Sequence, residues 1–226
     1  MTLVLGALDR EVDALAAALG DPVEESALGR PVYRGRIDDH PVIVSRTGVG
    51  KSMSALFAQH LVDRYAPKRI VFTGVAGSLN RGYELGDVVV ARDCVQHDMD
   101  VTAMGFELGR IPYTDYRFLP ADPALLEIAR AIRPPRGRAH VGRILTGDRF
   151  VTDAGLRDRL AAALDGDAVE MEGASVALVA AVNALPFLLI RTISDHSDGT
   201  ALDFERLLDV SAANSLHYVR ELLARL

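Results

Sequence analysis

The chain has 226 residues, 49% hydrophobic and 25% charged, the mix of an ordinary globular protein long enough to bury a core without disulfides or a structural metal. Its net charge is −6 with Lys and Arg scattered along the chain, which argues against a nucleic-acid polymer as partner and leaves a small molecule as the expected one. A single cysteine, Cys94, excludes an intrachain disulfide and suits a reducing compartment; with no basic n-region, no apolar h-region and no apolar run of about twenty residues, neither export nor membrane spanning is expected, and the expected place is the cytoplasm.

Apolar strand-like runs alternate with helical patterns, without a linker, low-complexity tract or repeat, which predicts a single α/β domain over 1–226 with a largely parallel sheet. Residues 3–8 (LVLGAL) form a first buried strand leading into Asp9-Arg10-Glu11. Val12, Leu15, Ala16 and Leu19 follow at helical spacing, and Gly20 can stop that helix. Residues 31–36 and 41–46 read as a hairpin around Asp38-Asp39. Gly50 opens a helix with an apolar stripe of Met53, Leu56, Phe57 and Leu61. Residues 69–73 are a buried strand ending in Gly74-Val75-Ala76-Gly77, and 86–96 a long strand, followed by an irregular loop over 105–116. A helix over 123–132 stops at Pro134-Pro135, 138–146 is a strand, and 153–164 is a helix with Asp153 as N-cap. Residues 168–171 are short and apolar apart from Glu170. They run into 173–182 (GASVALVAAV), apolar on every side and so a helix buried in the core. Residues 186–194 (PFLLIRTIS) are the last central strand. An amphipathic helix with Phe204, Leu207, Leu208, Ala212, Leu216, Val219 and Leu223 closes the chain.

Three motifs promise more than they carry. Thr47-Gly48-Val49-Gly50-Lys51-Ser52 resembles the end of a phosphate-binding loop, but Ser45 stands where the pattern needs its first glycine, so a tight turn lining a pocket is the better reading. Gly173-Ala174-Ser175-Val176-Ala177 lacks the final glycine of a nucleophile elbow, and Ser175 falls inside an apolar helix, as a core serine does. His97-Asp98-Met99-Asp100 matches no zinc or calcium spacing and reads as a hydrogen-bonded loop; nothing in the sequence calls for a metal or a cofactor.

Three carboxylates occupy equivalent places instead. Glu11 lies just past the first strand, Glu172 past the Val169 strand and Asp195 past PFLLIRTIS. The carboxyl ends of strands in an open parallel sheet are where ligands bind. Singly, each has a structural explanation: a helix dipole favours Glu11, a buried helix start demands a partner for Glu172, and Asp195 suits an Asx turn. Together they fit cleavage of a glycosidic bond, whose oxocarbenium-like transition state needs a proton donor, a base for water and acceptors for sugar hydroxyls. The positive helix end is expected to hold Glu11 ionised, as a base requires.

At these residues the chain resembles the 5′-methylthioadenosine/S-adenosylhomocysteine nucleosidases of the purine nucleoside phosphorylase superfamily. The matching stretches, in family order over most of the chain, are Gly6-Ala7-Leu8-Asp9-Arg10-Glu11-Val12, Thr47-Gly48-Val49-Gly50-Lys51, Thr73-Gly74-Val75-Ala76-Gly77 and Gly86-Asp87-Val88-Val89. Further on come the His97-to-Gly105 segment, Gly147-Asp148-Arg149-Phe150-Val151, Val169-Glu170-Met171-Glu172, Arg191-Thr192-Ile193-Ser194-Asp195 and Asp203-Phe204. The resemblance implies a three-layer α/β/α sandwich with a mixed central sheet, nucleoside phosphorylase-like, working as a homodimer without a cofactor or metal. It implies a hydrolase that releases adenine from methylthioadenosine or adenosylhomocysteine in methionine salvage. Asp195, next to Ser194, would protonate N7 of the adenine, Glu11 would align the water, and Glu172 with Met171 would hold the ribose hydroxyls. Phe150 would stack on the purine and the Val151 backbone bond its edge. Leu8, Val49 and Phe204 would wall the ribose and 5′ substituent, while Met104 and Pro112 would reach in from the partner subunit.

Some positions depart from the family pattern. Val75 stands where a serine is usual, Ser78 where a glycine is, Leu8 for a methionine and Met104 for an aromatic, changes that bear on the 5′ group and on how Asp195 or the base is held. Three alternatives stand beside the hydrolase. A phosphorylase needs an anion site at the first strand–helix turn, where Asp9 and Glu11 would repel phosphate. A related hydrolase of another purine nucleoside, such as a futalosine-type intermediate, shares the same parts. A non-catalytic nucleoside-binding protein would be signalled by loss of one of the three acids.

Overall fold

Period-two alternation sets the architecture of the computed structural model, which describes residues 1–197 and 204–226, all with their side chains except Phe204 and Glu205. In β1 (Thr2–Gly6), Leu3 and Leu5 enter one core cluster while Val4 enters another. The same division recurs in β4 (His40–Arg46), where Ile43 opposes Val42 and Val44, in β5 (Arg69–Phe72), where Ile70 and Phe72 oppose Val71, and in β11 (Phe187–Asp195), where Leu189 opposes Leu188 and Ile190. A sheet apolar on both faces must be covered on both. Helices α2 (Lys51–Tyr65) and α5 (Gly173–Val182) cover one face; α1 (Asp9–Ala17), α3 (Pro123–Arg130) and α6 (Phe204–Leu223) cover the other. The result is a mixed α/β fold with a central mixed sheet between helical layers.

Local chemistry fixes the helix starts. Asp122 caps α3, its carboxylate accepting from the N–H of Ala124 and Leu125 with Pro123 at the first helical position, and Asp153 caps α4 (Ala154–Leu164) through Leu156 N–H at 2.6 Å. Helix α5 is buried, as its uniform apolarity requires, and Ser175 lies inside it at 3% exposure.

The sheet differs from a parallel array. Its edge is the antiparallel run of β2 (Gly20–Ala27), β3 (Arg30–Ile37) and β4. Gly20, expected as a helix stop, also opens β2, an exposed edge strand whose polar sequence carries no apolar alternation to betray it. Strands β1, β4, β5 and β11 are parallel. Beyond them, β11 pairs with β6 (Val75–Ser78), β6 with β10 (Ala168–Glu170), β10 with β9 (Ala139–Thr146), β9 with β7 (Val88–Gln96), and β7 back to β11, which closes these five strands into a ring; β8 (Leu119–Pro120) flanks β7. In this ring β10 runs antiparallel to β6, hence opposite to β11. Glu172 is therefore not delivered from a shared parallel edge, as Glu11 and Asp195 are; ring closure brings it round.

The apolar stripe on α2 is also displaced. Phe57 and Leu61 are buried with Ser54, Ala58 and Val62, whereas Met53 and Leu56 point outward, 39% and 59% exposed.

Candidate active site

Where β1 ends, the chain turns into α1 with Glu11 in its first turn. Leu8, at the N-cap, has no side-chain acceptor, so Glu11 serves that end of the helix from inside: Oε2 accepts from Ala7 N–H at 2.6 Å and Leu8 N–H at 2.9 Å. Its other oxygen, Oε1, accepts from Val75 N–H at 3.1 Å, across the sheet. Burial nevertheless pushes the Glu11 carboxyl above its ordinary range, against Arg191 and the three backbone donors. The helix end alone therefore does not set its ionisation; desolvation outweighs it, a correction to the expectation drawn from the dipole.

Glu172 is the N-cap residue of α5 and is 6% exposed. Its Oε1 accepts from Gly50 N–H at 2.8 Å. Burial, then the neighbouring Glu170, push Glu172 up to about 8, with Arg191 and the Gly50 N–H pulling the other way. The loop before α2 thus ends in donors already taken by the protein's own acids, because Lys51 N–H also binds Asp148 Oδ1 at 2.7 Å. The tight-turn reading of that loop holds, and Val49 beside it lines the cavity.

Asp195 ends β11 at 7% exposure. Its Oδ2 accepts from Ser194 Oγ at 2.9 Å and its Oδ1 from Ser197 N–H at 2.8 Å.

All three acids line one cavity of about 240 Å³, far above the roughly 10–15 Å³ that a single water needs. Its apolar wall includes Leu8, Val49, Val75, Phe150, Val151 and Met171, and Ser194 also borders it. Val49 and Phe150 stand at its mouth, 49% and 58% exposed. Met104 is 63% exposed, and neither it nor Pro112 borders this cavity within the single chain. The Phe204 side chain and Asp203 lie outside the described residues.

Two residues essential to this electrostatic balance were not singled out from the sequence. Glu170 and Arg191 form an ion pair at 2.7 Å with both side chains almost fully buried. Glu170 also accepts from the N–H groups of Glu172 and Gly173 and from Thr146 Oγ1, while Arg191 lies over the Phe72 ring at 4.3 Å. A charged residue within each of two otherwise apolar runs, Glu170 at the end of β10 and Arg191 in the middle of β11, requires a partner but does not say which. Arg191 Nη1 has no hydrogen-bond partner among the described residues. It and Glu11 Oε1 face the same point above Gly74, where an added Cβ would lie 3.1 Å and 2.6 Å from them. Gly74, at φ +151°, has no side chain and so lets both groups close on its backbone.

The His97–Asp100 loop is a hydrogen-bonded scaffold. Asp98 pairs with Lys51 at 2.6 Å and accepts from Asp148 N–H at 2.9 Å, tying β7, α2 and the loop after β9 together behind Glu172. Asp100 accepts from the hydroxyl and N–H of Thr102.

The phosphorylase superfamily pattern matches residues 2–224. A 5′-methylthioadenosine/S-adenosylhomocysteine nucleosidase of Staphylococcus aureus (strain JH9) is 31% identical over 225 residues, 99% of each chain. The nucleosidase of the same description from Colwellia psychrerythraea 34H, solved in complex with adenine, superposes with a TM-score of 0.93 at 31% identity, over 100% of this chain and 95% of that one. Futalosine hydrolase of Helicobacter pylori strain 26695 superposes with a TM-score of 0.92 at 29% identity, over 100% and 97%.

Proposed function

This chain belongs to the 5′-methylthioadenosine/S-adenosylhomocysteine nucleosidase family of the phosphorylase superfamily, and from that membership we propose that it hydrolyses the N-glycosidic bond of methylthioadenosine or adenosylhomocysteine and releases adenine.

The observation that carries hydrolysis over phosphorolysis is the place of the Glu11 carboxylate. A helix N-terminus beside a strand end is a natural phosphate site. Here its donors, the N–H groups of Ala7 and Leu8, and the Val75 N–H opposite, are all consumed by Glu11. A phosphate would find these donors taken and would face a negative charge, whereas a neutral water in the cavity can donate to the Glu11 carboxylate.

In this mechanism Glu11 takes a proton from the water as its oxygen attacks C1′. A base whose affinity for protons is raised by burial performs that step better near neutral pH than an ordinary glutamate. The C1′–N9 bond breaks and its electron pair moves into the purine, which Asp195 protonates at N7, so the base leaves neutral. Glu172, with Met171 beside it, holds the ribose hydroxyls. Phe150 stacks on the purine and the Val151 backbone bonds its edge, while Leu8, Val49, Val75 and Phe204 wall the remainder. Glu170 takes no part in bond making; it pairs Arg191 and so keeps the guanidinium facing Glu11 and Glu172.

The same proposal makes residues 1–226 a single nucleoside phosphorylase-like domain acting in methionine salvage in the cytoplasm as a homodimer, with Met104 and Pro112 of each protomer covering the partner's 5′ tail. Exposed apolar side chains support the dimer: Val49 and Phe150 at the cavity, and Met53 and Leu56 on α2, are left without an apolar cover.

The test is release of free adenine from methylthioadenosine with and without inorganic phosphate. Equal rates support hydrolysis, and dependence on phosphate overturns it. The likeness to the Helicobacter futalosine hydrolase favours one further reading, a related 5′-substituted purine nucleoside as the better substrate. Ranking kcat/KM on methylthioadenosine, adenosylhomocysteine, inosine and a futalosine analogue separates the two.

A further inference from the structure

Ser197 is a cavity-lining polar residue that the mechanism leaves unused. It is 1% exposed, it borders the cavity, and its Oγ has no hydrogen-bond partner among the described residues. Buried hydroxyls without partners are uncommon, and one on a residue that lines a ligand cavity can be completed by a bound ligand. Its position is tightly defined. The Ser197 N–H donates to Asp195 Oδ1 at 2.8 Å. An added Cβ on Gly77 would lie 2.7 Å from Asp195 Oδ1 and inside contact distance of Ser197 Oγ, so the hydroxyl and the carboxylate pack side by side against the Gly77 backbone.

The chemistry of the purine identifies which of its groups lies beside this pair. N7, which Asp195 protonates in the proposed mechanism, lies on the same ring edge as the substituent at C6. A group packed beside the Asp195 carboxyl therefore meets that substituent. With a 6-amino purine, the second carboxylate oxygen can accept from the amino group. With a 6-oxo purine the same oxygen meets another oxygen, and the contact is repulsive unless a donor stands beside it. A serine hydroxyl accepts in the first case and donates in the second, by rotation of one bond.

We propose that Ser197 Oγ is a specificity-determining contact to the purine 6-substituent, and that through it this site hydrolyses 6-oxo purine 5′-thionucleosides as well as 6-amino ones. This rests on the hydrolase reading of the site. Ser194 is already engaged with Asp195 Oδ2 and with the Ala76 carbonyl, so it is less free to take this role. Substitution at 197 leaves the backbone N–H that holds Asp195 in place, so loss of the hydroxyl is separable from loss of Asp195 positioning.

The experiment compares kcat/KM on methylthioadenosine and on methylthioinosine for the wild-type protein, Ser197→Ala and Ser197→Gly. The glycine variant guards against a folding failure, because residue 197 has φ +53°, a conformation glycine adopts freely. The wild type is expected to turn over both substrates, and each variant to lose about tenfold more activity on the 6-oxo than on the 6-amino nucleoside. Absence of methylthioinosine turnover by the wild type, or an unchanged substrate ratio in both variants, overturns the proposal. Failure of the wild type on methylthioadenosine would instead strike the hydrolase reading itself.

Discussion

Replacing Arg191 with Met tests the electrostatic core of the site while keeping an unbranched stem of similar length. The guanidinium is 2.7 Å from Glu170, lies over Phe72 and is the cation opposing the upward shifts of both Glu11 and Glu172. Deleting one member of a buried pair costs about 3–5 kcal/mol. Two terms reduce this: Glu170 keeps Thr146 Oγ1 and two backbone donors, and Arg191 Nε and Nη1, without partners among the described residues, are no longer buried. A loss of roughly 3 kcal/mol in urea unfolding is expected, the lower end of that range. Removing both charges, in Glu170→Gln/Arg191→Met, should restore stability to within about 1 kcal/mol of wild type, because the uncompensated carboxylate is gone. Activity should not return with it. Arg191 favours the ionised form of Glu11, so its loss raises the Glu11 pKa further, and the acid limb of the kcat/KM profile moves to higher pH. A stability loss under about 1 kcal/mol, or a lowered rate with the acid limb unmoved, would refute the role assigned to the pair.

Asp195→Asn is expected to fold normally. Its side-chain oxygen can keep the Ser197 N–H while its amide faces Ser194 Oγ, which then donates to the Ala76 carbonyl instead. With no proton to give N7, kcat should fall by about 10²–10⁴ while substrate affinity, read by equilibrium binding, stays near wild type; retained turnover would remove Asp195 from the mechanism. Glu172 carries a pH signature of stability. Its folded pKa, about 8, lies above the ordinary 4.5, so the folded state holds the proton more tightly. Its contribution is fully present below about pH 4.5 and is lost as pH rises through 8, and Glu172→Gln should flatten that part of the urea-midpoint profile. A slope identical to wild type between pH 5 and 8 would show that Glu172 is not the titrating group.

The alternation of Leu3, Val4 and Leu5, the uniform apolarity of residues 173–182 and the caps at Asp122 and Asp153 are decided within a few residues of chain, so strands, the buried helix and helix starts were legible in the sequence. So was the candidacy of Glu11, Glu172 and Asp195, because an acid directly after a buried strand is placed by the strand. Strand β2 was not legible: an exposed edge strand draws its stability from backbone pairing with β3 and leaves no apolar pattern. Nor was the Glu170–Arg191 pair, since each residue explains the burial of the other and they lie 21 positions apart. The outward turn of Met53 and Leu56, the capture of Gly50 N–H by Glu172, and the Ser197 hydroxyl left without a partner among the described residues likewise exist only once the elements are packed together. Local sequence determined which groups could ionise or bury. Tertiary closure determined which of them share one desolvated space, because charge interactions there depend on distances through space and the chain order does not encode those distances.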